Sequence, residues 1–147
     1  MTSPNEFFGT LQQSVVEIWR KHLQTGKYSS HKALDEYYKN MPELIDILIE
    51  AWIGNNEKLY SYSNAILDWD SLTAEEGLSK LQEYIHGGYD EISVGDSEIE
   101  SALDSVLELI SGTIYKLREL KENSSDQVQS WIDNIIPLAN YLEKESF

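Results

Sequence analysis

Cysteine is absent from the 147-residue chain. That excludes disulfides, thiolate zinc sites and iron–sulfur clusters, and leaves histidine and carboxylate as the strong metal ligands. Bases are scarce: 11 Lys and Arg face 26 Asp and Glu, for a net charge of −15. Such a surface repels nucleic acid and anionic membranes, so direct DNA binding is disfavoured. No run of about 18 apolar residues occurs, and the start, Met-Thr-Ser-Pro-Asn-Glu, lacks a basic region followed by an apolar core. A soluble, cytoplasmic protein of a bacterium or phage-infected host is the expectation, without membrane contact. Gly-rich phosphate loops and G-x-S-x-G elbows are missing too, which leaves most nucleotide-binding and hydrolase chemistries without support.

The chain does have 41% hydrophobic residues, four Trp and nine Tyr, enough for one folded domain over residues 1–147. From Asn5 to Gln24, Phe8, Leu11, Val15, Ile18, Trp19 and Leu23 recur at steps of three and four, predicting an amphipathic helix that ends near Thr25-Gly26. Ser29 or Ser30 can cap a second helix whose apolar positions Leu34, Tyr37, Met41, Leu44, Leu48 and Trp52 run to Gly54. Pro42 predicts a kink or a break in it.

Residues 55–96 read as a long connection containing a short helix or two, one of them starting at Thr73 with Glu76 as its capping-box partner. Ile99, Leu103, Val106, Leu107, Ile110, Ile114 and Leu117 predict a third long helix to about Lys121. A fourth would follow Asn123-Ser-Ser-Asp126, carrying Val128, Trp131, Ile132, Ile135, Leu138 and Leu142, bent by Pro137. The fold class is therefore all-α: a ferritin-like four-helix bundle with a long crossover between its second and third helices carrying one or two short helices.

Two of the three histidines lie in His22-Leu-Gln-Thr-Gly-Lys-Tyr-Ser-Ser-His31, followed by Asp35, Asp46 and Glu50. His31 and Asp35 are four apart, as are Asp46 and Glu50, so each pair shares a helical face. At roughly 100° per residue, these four fall in one sector about 100° wide, opposite Leu34, Met41, Leu44, Leu48 and Trp52. The polar stripe thus faces away from the core. Because His31 and Asp46 lie roughly 22 Å apart along a straight helix, one chain cannot close a site from both. An antiparallel second copy brings its Asp46 and Glu50 beside His31 and Asp35, giving two equivalent sites.

This arrangement resembles Dps, the ferritin-like DNA-binding proteins from starved cells, whose ferroxidase ligands come from two subunits. His22 resembles the family's first histidine, His31 its second, Asp35 the acid one turn later, and Asp46 and Glu50 its D-x-x-x-E pair. The resemblance covers about Leu11 to Gly54 at motif level. The histidine-to-Tyr-to-histidine run also looks like short Dps-like proteins of tailed phages. Differences are a shorter loop between the histidines, Leu23 in place of the usual Trp, Pro42 within the second helix, and no basic N-terminal tail.

The resemblance implies a homo-oligomer with a two-fold interface through its first two helices. Metal ligands would be His22, His31, Asp35, Asp46 and Glu50, with iron as Fe(II)/Fe(III) and Zn or Mn as substitutes. The implied activity is oxidation of Fe(II) by peroxide or oxygen, with storage of the product. The alternative is a non-catalytic helical interaction protein, phage-encoded, that keeps the fold. Glu83-Tyr-Ile-His86 is a single E-x-x-H, read as a helix-terminal histidine before Gly87-Gly88 rather than an in-bundle ligand pair.

Overall fold

The computed structural model describes residues 2–122, which form four α-helices: α1 (Pro4–Gln24), α2 (Tyr28–Gly54), α3 (Ala74–Ser93) and α4 (Ser97–Glu122). A three-residue 3-10 helix, Trp69–Ser71, precedes α3, and there is no strand among the described residues. The expected helix beyond Asp126, with its bend at Pro137, lies outside the described residues.

Local chemistry accounts for most of the helix starts. Pro4 sits in the first turn of α1, where a missing N–H is harmless, with Glu6 complementing the helix dipole. Thr73 and Glu76 form the anticipated reciprocal capping box of α3. Asp96 Oδ1 accepts from the backbone N–H groups of Glu98 and Ile99, both at 3.0 Å, and so caps α4. Neither Ser29 nor Ser30 caps α2, which begins one residue earlier after an extended Lys27. Gly26 is not the left-handed C′ residue expected of it, since Thr25 ends α1 in extended backbone. Pro42 is exposed and α2 continues through it unbroken.

The order of contacts fixes the helix directions. Backbone N–H of Thr2 donates to Glu91, and Lys21 Nζ donates to the Leu72 carbonyl at 2.6 Å, so α1 and α3 are antiparallel. Asn55 donates to Asp96 at 2.6 Å and Lys116 to Glu36 at 2.6 Å, so α2 and α4 are antiparallel. Phe8 meets Trp52 and His22 meets His31, so α1 and α2 are antiparallel as well; α2 and α3 therefore run parallel, and residues 55–73 must travel the length of the bundle between them.

They do so as a strap along α1. Asn5 Nδ2 donates to the Ser61 carbonyl at 2.8 Å, Ser63 N–H to the Asn5 carbonyl at 3.3 Å, and Ala65 N–H to Thr10 Oγ1 at 2.7 Å. Gly9 is required there, because a Cβ would collide with the Ser63 carbonyl. The full-length connection is thus residues 55–73, not 55–96, and α3 is a 20-residue bundle helix rather than a short insert. Gly87-Gly88 does not end it. Gly88 instead admits Thr2 and Phe7, whose side chains would come within 2.9–3.0 Å of a Cβ.

The core is built from Phe7, Phe8, Leu11, Ile18, Tyr37, Met41, Leu48, Leu78, Leu81, Ile85, Leu103, Val106 and Ile110, all inaccessible to solvent. Phe8 meets Trp52 edge-on and Phe7 stacks on Tyr84. The Tyr37 hydroxyl, which burial pushes far above its usual range, is hydrogen-bonded to Ser14 Oγ at 2.8 Å. Trp19 and Leu23, expected on the apolar face of α1, are instead 50% and 69% exposed.

Candidate functional site

Three residues, Thr25 to Lys27, separate α1 from α2. So short a turn forces the first turn of α2 back against the last turn of α1, and this brings His31 onto His22. Their ring centroids are 3.7 Å apart with planes tilted by 32°. His31 Nδ1 lies 3.0 Å from the His22 carbonyl, one of the last-turn carbonyls that α1 leaves without a helical partner. A carbonyl only accepts, so Nδ1 carries the proton of that hydrogen bond, and in the neutral ring the lone pair is on Nε2.

His22 is buried, yet neither ring nitrogen has a hydrogen-bond partner among the described residues. Its Nε2 stands 3.4 Å from Asp35 Oδ1, at ion-pair distance. Burial, above all, and then the neighbouring His31 hold the His22 pKa below the ordinary histidine value, against the pull of Asp35. His22 is therefore neutral at pH 7, with a lone pair on one nitrogen.

Asp35 is held below the usual carboxylate range, chiefly by its hydrogen bond with Lys39, whose Nζ is 2.9 Å away. Tyr38 hydrogen-bonds the same carboxylate, lies 4.9 Å from the His22 ring, and stacks on Trp19 at 5.8 Å and 15°. Two imidazoles, one carboxylate and an aromatic pair thus meet where α1 and α2 face outward.

Asp46 and Glu50 are not brought there. Both are exposed, farther down the same side of α2, and Asp46 borders an open groove of about 250 Å³ with Gln12, Val15, Pro42, Ile45 and Ile49. Of the five predicted ligands, the structure gathers His22, His31 and Asp35 and leaves Asp46 and Glu50 apart. Among the described residues no group of three or more His, Asp or Glu is arranged to hold a metal ion within one chain. Glu83 and His86 are exposed mid-helix residues of α3, not the helix terminus expected. No helix of the described residues is long and apolar enough to cross a membrane.

Trp19, Tyr38 and Lys39 were not among the sequence candidates. One signal was available: Tyr38 lies seven residues after His31, two turns on and roughly 20° around the helix, so it shares the ligand side. Nothing comparable marked Trp19, whose apolar spacing matches that of buried neighbours.

Comparison with known proteins adds three findings. The family described as a family of unknown function, DUF5856, matches residues 22–117, which include the histidine pair and most of the core. An uncharacterized 14.6 kDa protein in the mobD-ri intergenic region of Enterobacteria phage T4 is 27% identical over 118 residues, covering 79% of this chain and 85% of its own length. No solved structure matches the chain.

Proposed function

We propose that this chain, which belongs to the family of unknown function DUF5856, is a Dps-like, ferritin-like homo-oligomer that binds and oxidises Fe(II) between subunits and stores the product. The observation that carries this reading is the His22–His31–Asp35 cluster on the outward side of α1 and α2. His31 is oriented as metal-binding histidines are, with its other ring nitrogen donating to a backbone carbonyl. His22 has two buried ring nitrogens without a hydrogen bond among the described residues, with Asp35 Oδ1 3.4 Å from Nε2.

The donor chemistry fits as well. Imidazole and carboxylate suit Fe(II), and the negative carboxylates favour the Fe(III) that forms; Zn or Mn would be accepted by the same set. His22, His31 and Asp35 of one subunit, with the partner's Asp46 and Glu50, would hold the iron. The ferritin-like assignment is supported by parallel α2 and α3 joined by one bundle-length connection, the single-crossover pattern. Likeness to a phage protein suits the short phage-type version of the fold.

A second reading, a non-catalytic helical interaction protein, draws on the Lys39 ammonium that already neutralises Asp35. Anaerobic Fe(II) titration followed by peroxide separates the two. The full chain should bind and oxidise iron, and the His31→Ala/Asp46→Ala double variant should lose both activities. Equal oxidation by variant and parent would defeat the site assignment.

A further inference from the structure

The end of the bundle at which α1 and α4 finish and α2 and α3 begin is hollow. An open cavity of about 260 Å³ lies there, lined by Thr25, Ser30, Leu34, Ala74, Leu117 and Leu120. Small-molecule sites run to roughly 300–1,000 Å³, so this one suits a single large side chain better than a free ligand.

The chain itself leads to that hollow. Leu120 is part of its lining, and α4 ends two residues later at Glu122. In the sequence that follows, Val128, Trp131, Ile132, Ile135, Leu138 and Leu142 form an apolar stripe that the spacing assigned to the fourth place in the bundle. The structure gives that place to α3, so the stripe needs another apolar surface to cover it. We propose that residues 127–135 fold back over this end of the bundle and seat the Trp131 indole in the cavity.

Reach and charge both favour this occupant. Six residues lead from Glu122 to Val128, up to roughly 20 Å of extended chain, about twice the width of a helix. Trp131 is the bulkiest residue of the stripe and the one with most area to remove from water. Around the cavity Lys21 and Lys27 stand against one acid, Glu75, which Arg118 already engages at 2.7 Å. There α2 starts with neither a side-chain cap nor an acid in its first turn. Residues 123–135 bring Asp126 and Asp133 and no base, whereas the chain as a whole has only 11 bases to 26 acids. A tethered segment also acts at an effective concentration in the millimolar range, which a separate partner would have to match. Nothing in this inference depends on iron.

Thiol labelling of the full chain tests it, since the absence of cysteine lets one engineered thiol report alone. Ser30→Cys and Ala74→Cys place the thiol in the cavity lining on α2 and α3, while Ala102→Cys, on α4 at 7% exposure, reports on opening of the whole core. Each is reacted with dithiobis(nitrobenzoate) at about pH 8, near the ordinary thiol pKa. Adding Trp131→Ser should speed labelling of both cavity thiols at least about tenfold and leave Ala102→Cys unchanged, the mark of local rather than global opening. Tyr141→Ser, off the apolar stripe, should alter none of the rates. Circular dichroism verifies that each variant folds. Cavity thiols that label equally with and without Trp131 overturn the proposal. So does equal acceleration at Ala102→Cys, which would make Trp131 a support of the whole fold, and so does protection lost on dilution, which would make the occupant a second copy.

Discussion

Gly9→Ala is a sharp test of how the connection between α2 and α3 is held. In an ordinary helix interior this change stabilises by about 1 kcal/mol, because alanine has the higher helix propensity. At position 9 the added methyl would overlap the Ser63 carbonyl, a backbone atom that cannot rotate away. The strap must lift, and with it go the hydrogen bonds from Asn5 to Ser61, Ser63 to Asn5, and Ala65 to Thr10. At a net ~1 kcal/mol each, their loss is about 3 kcal/mol. Offset by propensity, the expected destabilisation is about 2 kcal/mol. Gly87→Ala supplies the control, since a Cβ there meets nothing within 4 Å and α3 is helical on both sides; it should stabilise by about 0.5–1 kcal/mol. Urea unfolding midpoints of the three proteins decide the matter. A Gly9→Ala protein as stable as its parent would refute the strap's placement on α1.

Two further predictions concern single residues. Val94, at the tight turn between α3 and α4, has φ of 43°, a left-handed conformation costly for a β-branched side chain. Val94→Gly should raise stability by about 1 kcal/mol in the same urea assay, and a fall would show that Val94 makes contacts outweighing its strain. For His22, burial holds the folded pKa below the ordinary histidine value of 6.5. As pH drops through 6.5 the unfolded chain takes up a proton that folded His22 resists, so this contribution is complete above pH 6.5 and is lost on acidification. Metal-free parent should therefore lose more stability between pH 7.5 and 5.5 than His22→Leu does; an equal or smaller loss would contradict the buried, neutral histidine.

The periods of α1, α2 and α4 were legible because one side of each helix is buried against the others, and the Thr73–Glu76 capping box was legible because its partners are three residues apart. The full length of α3 was not. Gly87-Gly88 has the composition of a helix stop, yet Gly88 is there so that α1 can approach, a requirement that Thr2 and Phe7 impose from far away in the chain. Trp19 has the spacing of a core residue yet is half exposed, because its ring stacks on Tyr38 at the outer side of α1 and α2.

The candidate ligands divide along the same line. Composition limits the candidates for metal binding to histidine and carboxylate, and helical spacing sets Asp46 and Glu50 on one side of α2, well away from His31. Both conclusions need only local geometry, which a helix repeats every 3.6 residues. Whether His22 would meet His31 depended on the path of three turn residues, and whether α2 and α3 would run parallel depended on a strap seated at Gly9. Those outcomes come from contacts between segments distant along the chain, and no local period encodes them.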